Sequence, residues 1–220
     1  MKKEEAKWQK VLWVVCMLLF SVAATAVAAY FYGNSLRNIC LLLIVVTAGY
    51  AGVAFALVQS DICGVLHYDN GGHYVRFVLT FMIGIAASCL LPLLPDSGWA
   101  FPAIALALTL FANTATGLMA YAVILGICVY FSDSSVLIFL MYFLIGCLYA
   151  ILFERLDEDY KTGEPICIAT MVYSVIMIAR IIFRSYGALE IEMFMIPVIN
   201  LFITFLLVLA VLRFYCAVVI

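Results

Sequence analysis

Ala100-Phe-Pro-Ala-Ile-Ala-Leu-Ala-Leu-Thr-Leu-Phe-Ala-Asn-Thr-Ala-Thr-Gly-Leu-Met-Ala-Tyr-Ala-Val-Ile-Leu-Gly-Ile-Cys-Val-Tyr-Phe131 is apolar almost throughout, with one polar cluster, Asn113-Thr-Ala-Thr-Gly117, near its middle. A bilayer core about 30 Å thick is crossed by roughly 20 helical residues, so this run is either one steeply tilted helix or two short ones. The polar cluster favours two, residues 100–112 and 115–131. The rest of the topology depends on that choice.

The surrounding chain is of the same kind. Its 220 residues are 68% hydrophobic and 11% charged, with a mean hydropathy of +1.22, whereas soluble domains are about half apolar and a quarter charged. The composition describes an all-α, polytopic membrane protein, with the lipid bilayer as its first partner and no room for a separate soluble domain of 50 or more residues. A net charge of -2 without a basic block excludes nucleic-acid binding. None of the eight cysteines forms a C-x-x-C pair, so they are expected to be packing residues.

Apolar runs mark eight spans: 11–31, 39–60, 77–94, 100–112, 115–131, 136–153, 166–183 and 193–212. Residues 1–10 form a stub with four lysines and Trp8, 11–212 a single transmembrane domain, and 213–220 a short end. A cleavable signal peptide is the rival reading of the start, because Ala24-Thr-Ala26 and Ala26-Val-Ala28 resemble cleavage sites. The apolar run is too long for a signal core, and Glu4 and Glu5 dilute the basic start. Trp99, after the turn Pro95-Asp-Ser-Gly, is expected at the membrane interface. Ala48 and Gly52, four apart, are expected to admit a close helix neighbour.

Charge counting decides between one crossing and two. With eight spans both termini are cytoplasmic, and eight Lys and Arg residues lie inside against three outside. A single crossing at 100–131 inverts every later span and gives seven against four. The positive-inside rule therefore favours eight spans, in the inner (cytoplasmic) membrane of a cell. A re-entrant hairpin is the remaining alternative.

Two places could bind a ligand. Asn113, Thr114 and Thr116 sit at the break, and irregular backbone at membrane depth is tolerated only when buried in protein or lining a cavity. The plainer reading is a turn in which Asn113 or Thr114 caps the next helix and Gly117 relaxes the bend. Arg180 is the one strongly basic residue well inside an apolar run. It either snorkels to the headgroups or binds an anionic ligand, with Asn200 close by on the next span, which Pro197 would kink.

The loop from Cys63 through His67 and Asp69 to His73 holds zinc-type ligands, but at no recognised zinc spacing, and Asp157-Glu-Asp159 lacks the spacing of an EF-hand. No metal, no cofactor and no catalytic constellation is expected. The function classes left open are a receptor, signalling or scaffold module, a small-molecule transporter or its substrate-binding component, and, third, an intramembrane lipid-modifying enzyme using the histidine loop. A membrane-protein partner or oligomer is compatible with each.

Leu91-Pro-Leu-Leu-Pro95, then Phe101-Pro-Ala-Ile-Ala-Leu-Ala-Leu-Thr-Leu-Phe-Ala-Asn113, then Ile145-Gly-Cys-Leu-Tyr-Ala-Ile-Leu-Phe-Glu-Arg155 give the chain an order that resembles the membrane region of bacterial seven-transmembrane HD-domain receptors. The resemblance covers roughly residues 39–212. Members of that family carry a large extracytoplasmic domain after the first span and a C-terminal HD phosphodiesterase domain. Here residues 32–38 stand in the first place, and the 220 residues include no HD domain. The resemblance therefore implies a sensing or signalling module, either a fragment or a stand-alone relative, and not the phosphodiesterase itself. Rod-shape-determining inner-membrane proteins and vitamin-transporter substrate-binding components are similar more loosely.

Overall fold

The structure, a computed structural model, describes residues 2–66, 72–154, 163–184 and 192–219. Among these residues it forms an antiparallel bundle of eight helices: α1 (Lys2–Phe31), α2 (Leu36–Ile62), α3 (His73–Leu90), α4 (Phe101–Phe111), α5 (Thr114–Phe131), α6 (Val136–Leu152), α7 (Gly163–Arg184) and α8 (Glu192–Val219). Six are long and apolar enough to cross a membrane, while α4 and α6 are shorter. Of the two halves expected to be short only α4 is; α5 spans 18 residues, about 27 Å at 1.5 Å per residue. The first residues are helical too: α1 begins at Lys2, ahead of its apolar span at Trp8–Phe31, and α8 continues past residue 212 to Val219.

Side-chain contacts fix which helix ends lie together. At one end Lys10 Nζ is 2.7 Å from Asp61 and 5.6 Å from the Tyr74 ring centroid. Ser60 on α2 reaches Asn113 between α4 and α5, Thr114 reaches Glu154, and Tyr215 on α8 meets His73 and Phe111. At the other end the Tyr32 hydroxyl donates to the Cys89 carbonyl and the Tyr142 hydroxyl to the Asp96 carbonyl. The start of α1 and the finish of α8 thus share a face of the bundle, the Lys10 end. The opposite face is the Asp96 end.

Helix α5 is the centre, and its neighbours approach it through glycine. A Cβ built on Gly52 of α2 would meet Met119, one on Gly84 of α3 would meet Ile124, and one on Gly146 of α6 would meet Tyr121. Without a hydrophobic force between helices in lipid, such close packing supplies the attraction. The small residues of α2 that face α5 are Gly49 and Gly52; Ala48, expected in this role, is exposed.

Helix α4 reaches only about 17 Å at 1.5 Å per residue, and the segment before it accounts for the difference. After α3, two short 3₁₀ turns, Leu91–Leu93 and Asp96–Gly98, bring the chain to the start of α4, with Leu93, Leu94 and Pro95 exposed and the other residues of the segment half-buried. Tyr142, which holds the Asp96 carbonyl, lies six residues into α6, a depth of about 9 Å. Trp99 is therefore fully buried, against Phe101 and Tyr142, with its indole N–H on the Leu91 carbonyl. Trp99, expected to face the membrane interface, instead turns inward against protein, while the residues before it, 91–98, are half-buried or exposed.

Candidate functional site

The five residues singled out from the sequence fall into two groups at opposite ends. Asn113, Thr114 and Thr116 are at the Lys10 end, where α4 turns into α5 through Ala112 and Asn113 alone. Asn113 has extended backbone and caps α5, its Oδ1 accepting from the Thr116 amide at 2.8 Å, as N-cap residues do. Its Nδ2 donates to Ser60 Oγ at 2.9 Å, and Ser60 in turn bonds the Thr116 hydroxyl at 3.0 Å. Thr114 is half-buried and bonds Glu154 at 3.3 Å. These contacts tie α2, α5 and α6 together and use the polar atoms of Asn113 within the protein.

Gly117 serves a different purpose from the relaxed bend expected of it. A Cβ there would lie 2.6 Å from the Thr109 backbone. Its lack of a side chain lets the first turn of α5 rest on α4.

Arg180 and Asn200 meet at the Asp96 end, joined by the loop between them. Arg180, one turn before the end of α7, forms an ion pair through Nη2 with Asp96 Oδ2, the two side chains being 11% and 17% exposed. Its Nη2 is thus held inward on a carboxylate of the protein, a partner that the sequence reading did not weigh. Asn200, in α8 beyond Pro197, is buried. Its Nδ2 hydrogens are shared among the Ser97 carbonyl at 2.8 Å, the Trp99 carbonyl at 3.2 Å and the Tyr173 hydroxyl at 2.8 Å. Thr204 donates to Asn200 Oδ1 at 3.3 Å. With Tyr142 on the Asp96 carbonyl, the loop backbone is satisfied by side chains of α6 and α8. Irregular backbone surrounded by apolar residues requires such partners.

Two cavities meet at Arg180. One, of about 380 Å³, lies between the loop at Pro95 and Ser97, α7 at Met177 and Ile181, and α8 at Ile196. The other, of about 580 Å³, lies between α6 and α7 and includes Asp96 and Ser135. Arg180 is the residue common to both. Its Nη1 is buried and, among the described residues, has no hydrogen-bond acceptor.

Asp96 is the residue that sequence reasoning missed, being taken only as part of a turn. The signal was available in retrospect: a carboxylate beside a proline turn and one intramembrane arginine are natural partners in apolar surroundings. Of the histidine loop, His67 and Asp69 lie outside the described residues, as does Asp157-Glu-Asp159. His73 is buried at the start of α3 among Phe111 and Tyr215. Comparison with protein-family models, with curated proteins and with solved structures gives no match.

Proposed function

We propose that the protein is a non-enzymatic membrane module of receptor or scaffold type, multi-pass in the inner (cytoplasmic) membrane with the Lys10 end facing the cytoplasm. The observation that carries this reading is the Asp96–Arg180 pair, which straps α7 to the Asp96 loop beside two cavities. A charge pair in apolar surroundings contributes little net stability, since desolvation opposes the Coulomb gain, yet breaking it from one side is costly. It therefore suits a lock with two states better than a passive brace. A ligand or partner at the Asp96 end that competes for either charge would release α7, and the change would pass along α7 to the opposite face. The resemblance to the membrane region of seven-transmembrane HD-domain receptors agrees with such a role.

Hydrogen exchange in lipid nanodiscs, read by mass spectrometry, tests the lock. In Asp96→Asn, exchange should rise in the Asp96 loop and the final turns of α7 and stay at the parent level elsewhere. Unchanged exchange, or a uniform rise across the bundle, would refute a local two-state element.

A small-molecule transporter or its substrate-binding component is the second reading, favoured by the two cavities at Arg180. Alternating access requires the opposite end to respond as well. Coupled changes at the Asn113 hairpin in the same experiment would select the transporter.

A further inference from the structure

We infer that the smaller cavity at Arg180 is a headgroup site for an anionic amphiphile, a phosphate or carboxylate carried on a hydrocarbon tail. This deepens the reading of the Asp96 end as the place where the module's state is set, and rests on it. The starting observation is a guanidinium that lines the cavity and is only partly satisfied. Asp96 takes Nη2, while Nη1 is enclosed by protein and has no acceptor among the described residues. Buried polar hydrogens nearly always find a partner, and a guanidinium presents five of them in a planar fork that matches phosphate and carboxylate oxygens.

The two cavities differ in what they offer an anion. The larger one includes Asp96 itself, whose carboxylate would repel a second negative group. Among the described residues the smaller one presents Arg180 and Ser97 but no carboxylate. Its remaining walls are apolar: Met177 and Ile181 of α7, Ile196 and Pro197 of α8. At its rim Met193 and Ile196 are each 40% exposed on the outer surface of the bundle. A small hydrated anion would lose water against those walls with nothing in return. An amphiphile places its charged group on Arg180 and its tail along the apolar rim, where burial of methylenes is favourable.

The depth suits this occupant too. Arg180 lies one turn inside the end of α7, close to where headgroups give way to acyl chains. The neutral Asp96–Arg180 pair would become a carboxylate–guanidinium–anion triad, in which the incoming group competes with Asp96 for the same cation. Occupancy and the lock are thereby coupled.

The test uses the full chain, delipidated in a neutral maltoside detergent, with native mass spectrometry and thermal unfolding as readouts. The probes are dioleoyl phosphatidylglycerol, dioleoyl phosphatidylcholine and inorganic phosphate. Phosphatidylglycerol should bind saturably, one per chain, at least tenfold tighter than phosphatidylcholine, and inorganic phosphate should leave the melting temperature unchanged. Arg180→Met and Ile196→Trp should each weaken phosphatidylglycerol at least tenfold. Leu137→Trp, which fills the other cavity, should bind as the parent does. Asp96→Asn keeps the cation and removes its competitor, so it should bind phosphatidylglycerol at least as tightly as the parent. If Arg180→Met does not fold, Ile196→Trp decides, since its side chain is at the rim and outside the ion pair.

Equal binding of the two lipids, or full binding by Ile196→Trp, overturns the assignment. Stabilisation by inorganic phosphate equal to that by phosphatidylglycerol moves the site to a soluble anion and overturns the amphiphile. Lost lipid selectivity with a local exchange response in Asp96→Asn refutes the ligand and leaves the lock standing; selective binding without that response does the reverse.

Discussion

The two ends of the bundle each carry an ion pair and a buried asparagine, and they use them differently. At the Lys10 end the pair is near the surface, with Lys10 41% and Asp61 24% exposed, and Asn113 bonds to a helix amide and a neighbouring serine. At the Asp96 end the pair is mostly enclosed, and Asn200 holds irregular backbone that has no helix of its own. The first arrangement finishes helix ends that would exist without it. The second holds down a loop that would otherwise leave the bundle. Each end also has a buried guanidinium nitrogen without an acceptor among the described residues, Nη1 of Arg76 at the Lys10 end and Nη1 of Arg180 at the other, and the second belongs to the residue that lines both cavities. Polarity inside a membrane protein therefore has two uses.

Unfolding in mixed detergent micelles can put numbers on that contrast. Asp96→Asn should show the largest effect, about 3–5 kcal/mol, because it strands a buried cation; removing both charges in Asp96→Asn/Arg180→Met should recover most of it. A loss below about 1 kcal/mol for the single variant would make the two ion pairs equivalent and break the comparison. Gly117→Ala at the Lys10 end should cost about 1–3 kcal/mol, since the Thr109 backbone cannot turn aside. Of the two asparagines, Asn200→Ala should lose about 1–3 kcal/mol through stranded carbonyls and Asn113→Ala about 1 kcal/mol as a lost cap. The reverse order would show that the Asp96 loop is held by Trp99 and its aromatic neighbours, with Asn200 contributing little. The smallest change is expected for Lys10→Met, at most about 1 kcal/mol for a solvent-exposed pair, and it should vanish in high salt.

How much of this was legible in the sequence depended on the range of the interaction. The break at Asn113 could be read because length and a polar cluster are local signals, and so is an asparagine cap. Common placement of the two termini came from charge counting over short loops, and the side-chain contacts at the Lys10 end agree with it. The course of residues 91–100 was not legible. Pro95-Asp-Ser-Gly has the chemistry of a surface turn, and nothing in those residues says that Tyr142 and Asn200 wait below to receive their carbonyls. The grouping of Arg180 with Asn200, against Asn113, Thr114 and Thr116, likewise depended on which helix ends lie together. Asp96 escaped notice for the same reason: its partner is on the fourth α-helix after it.

All of α4 except Ile104 is buried, and this constrains how the chain is made. A segment of about 17 Å cannot reach across a bilayer by itself, and its burial requires protein on every side. Its neighbours include α6 and α8, both synthesised after it. During translation α4 must therefore wait beside or within the insertion machinery until α6 emerges, and its place is completed by α8. The order of synthesis makes the Asp96 loop and its asparagine strap among the last parts of the molecule to close.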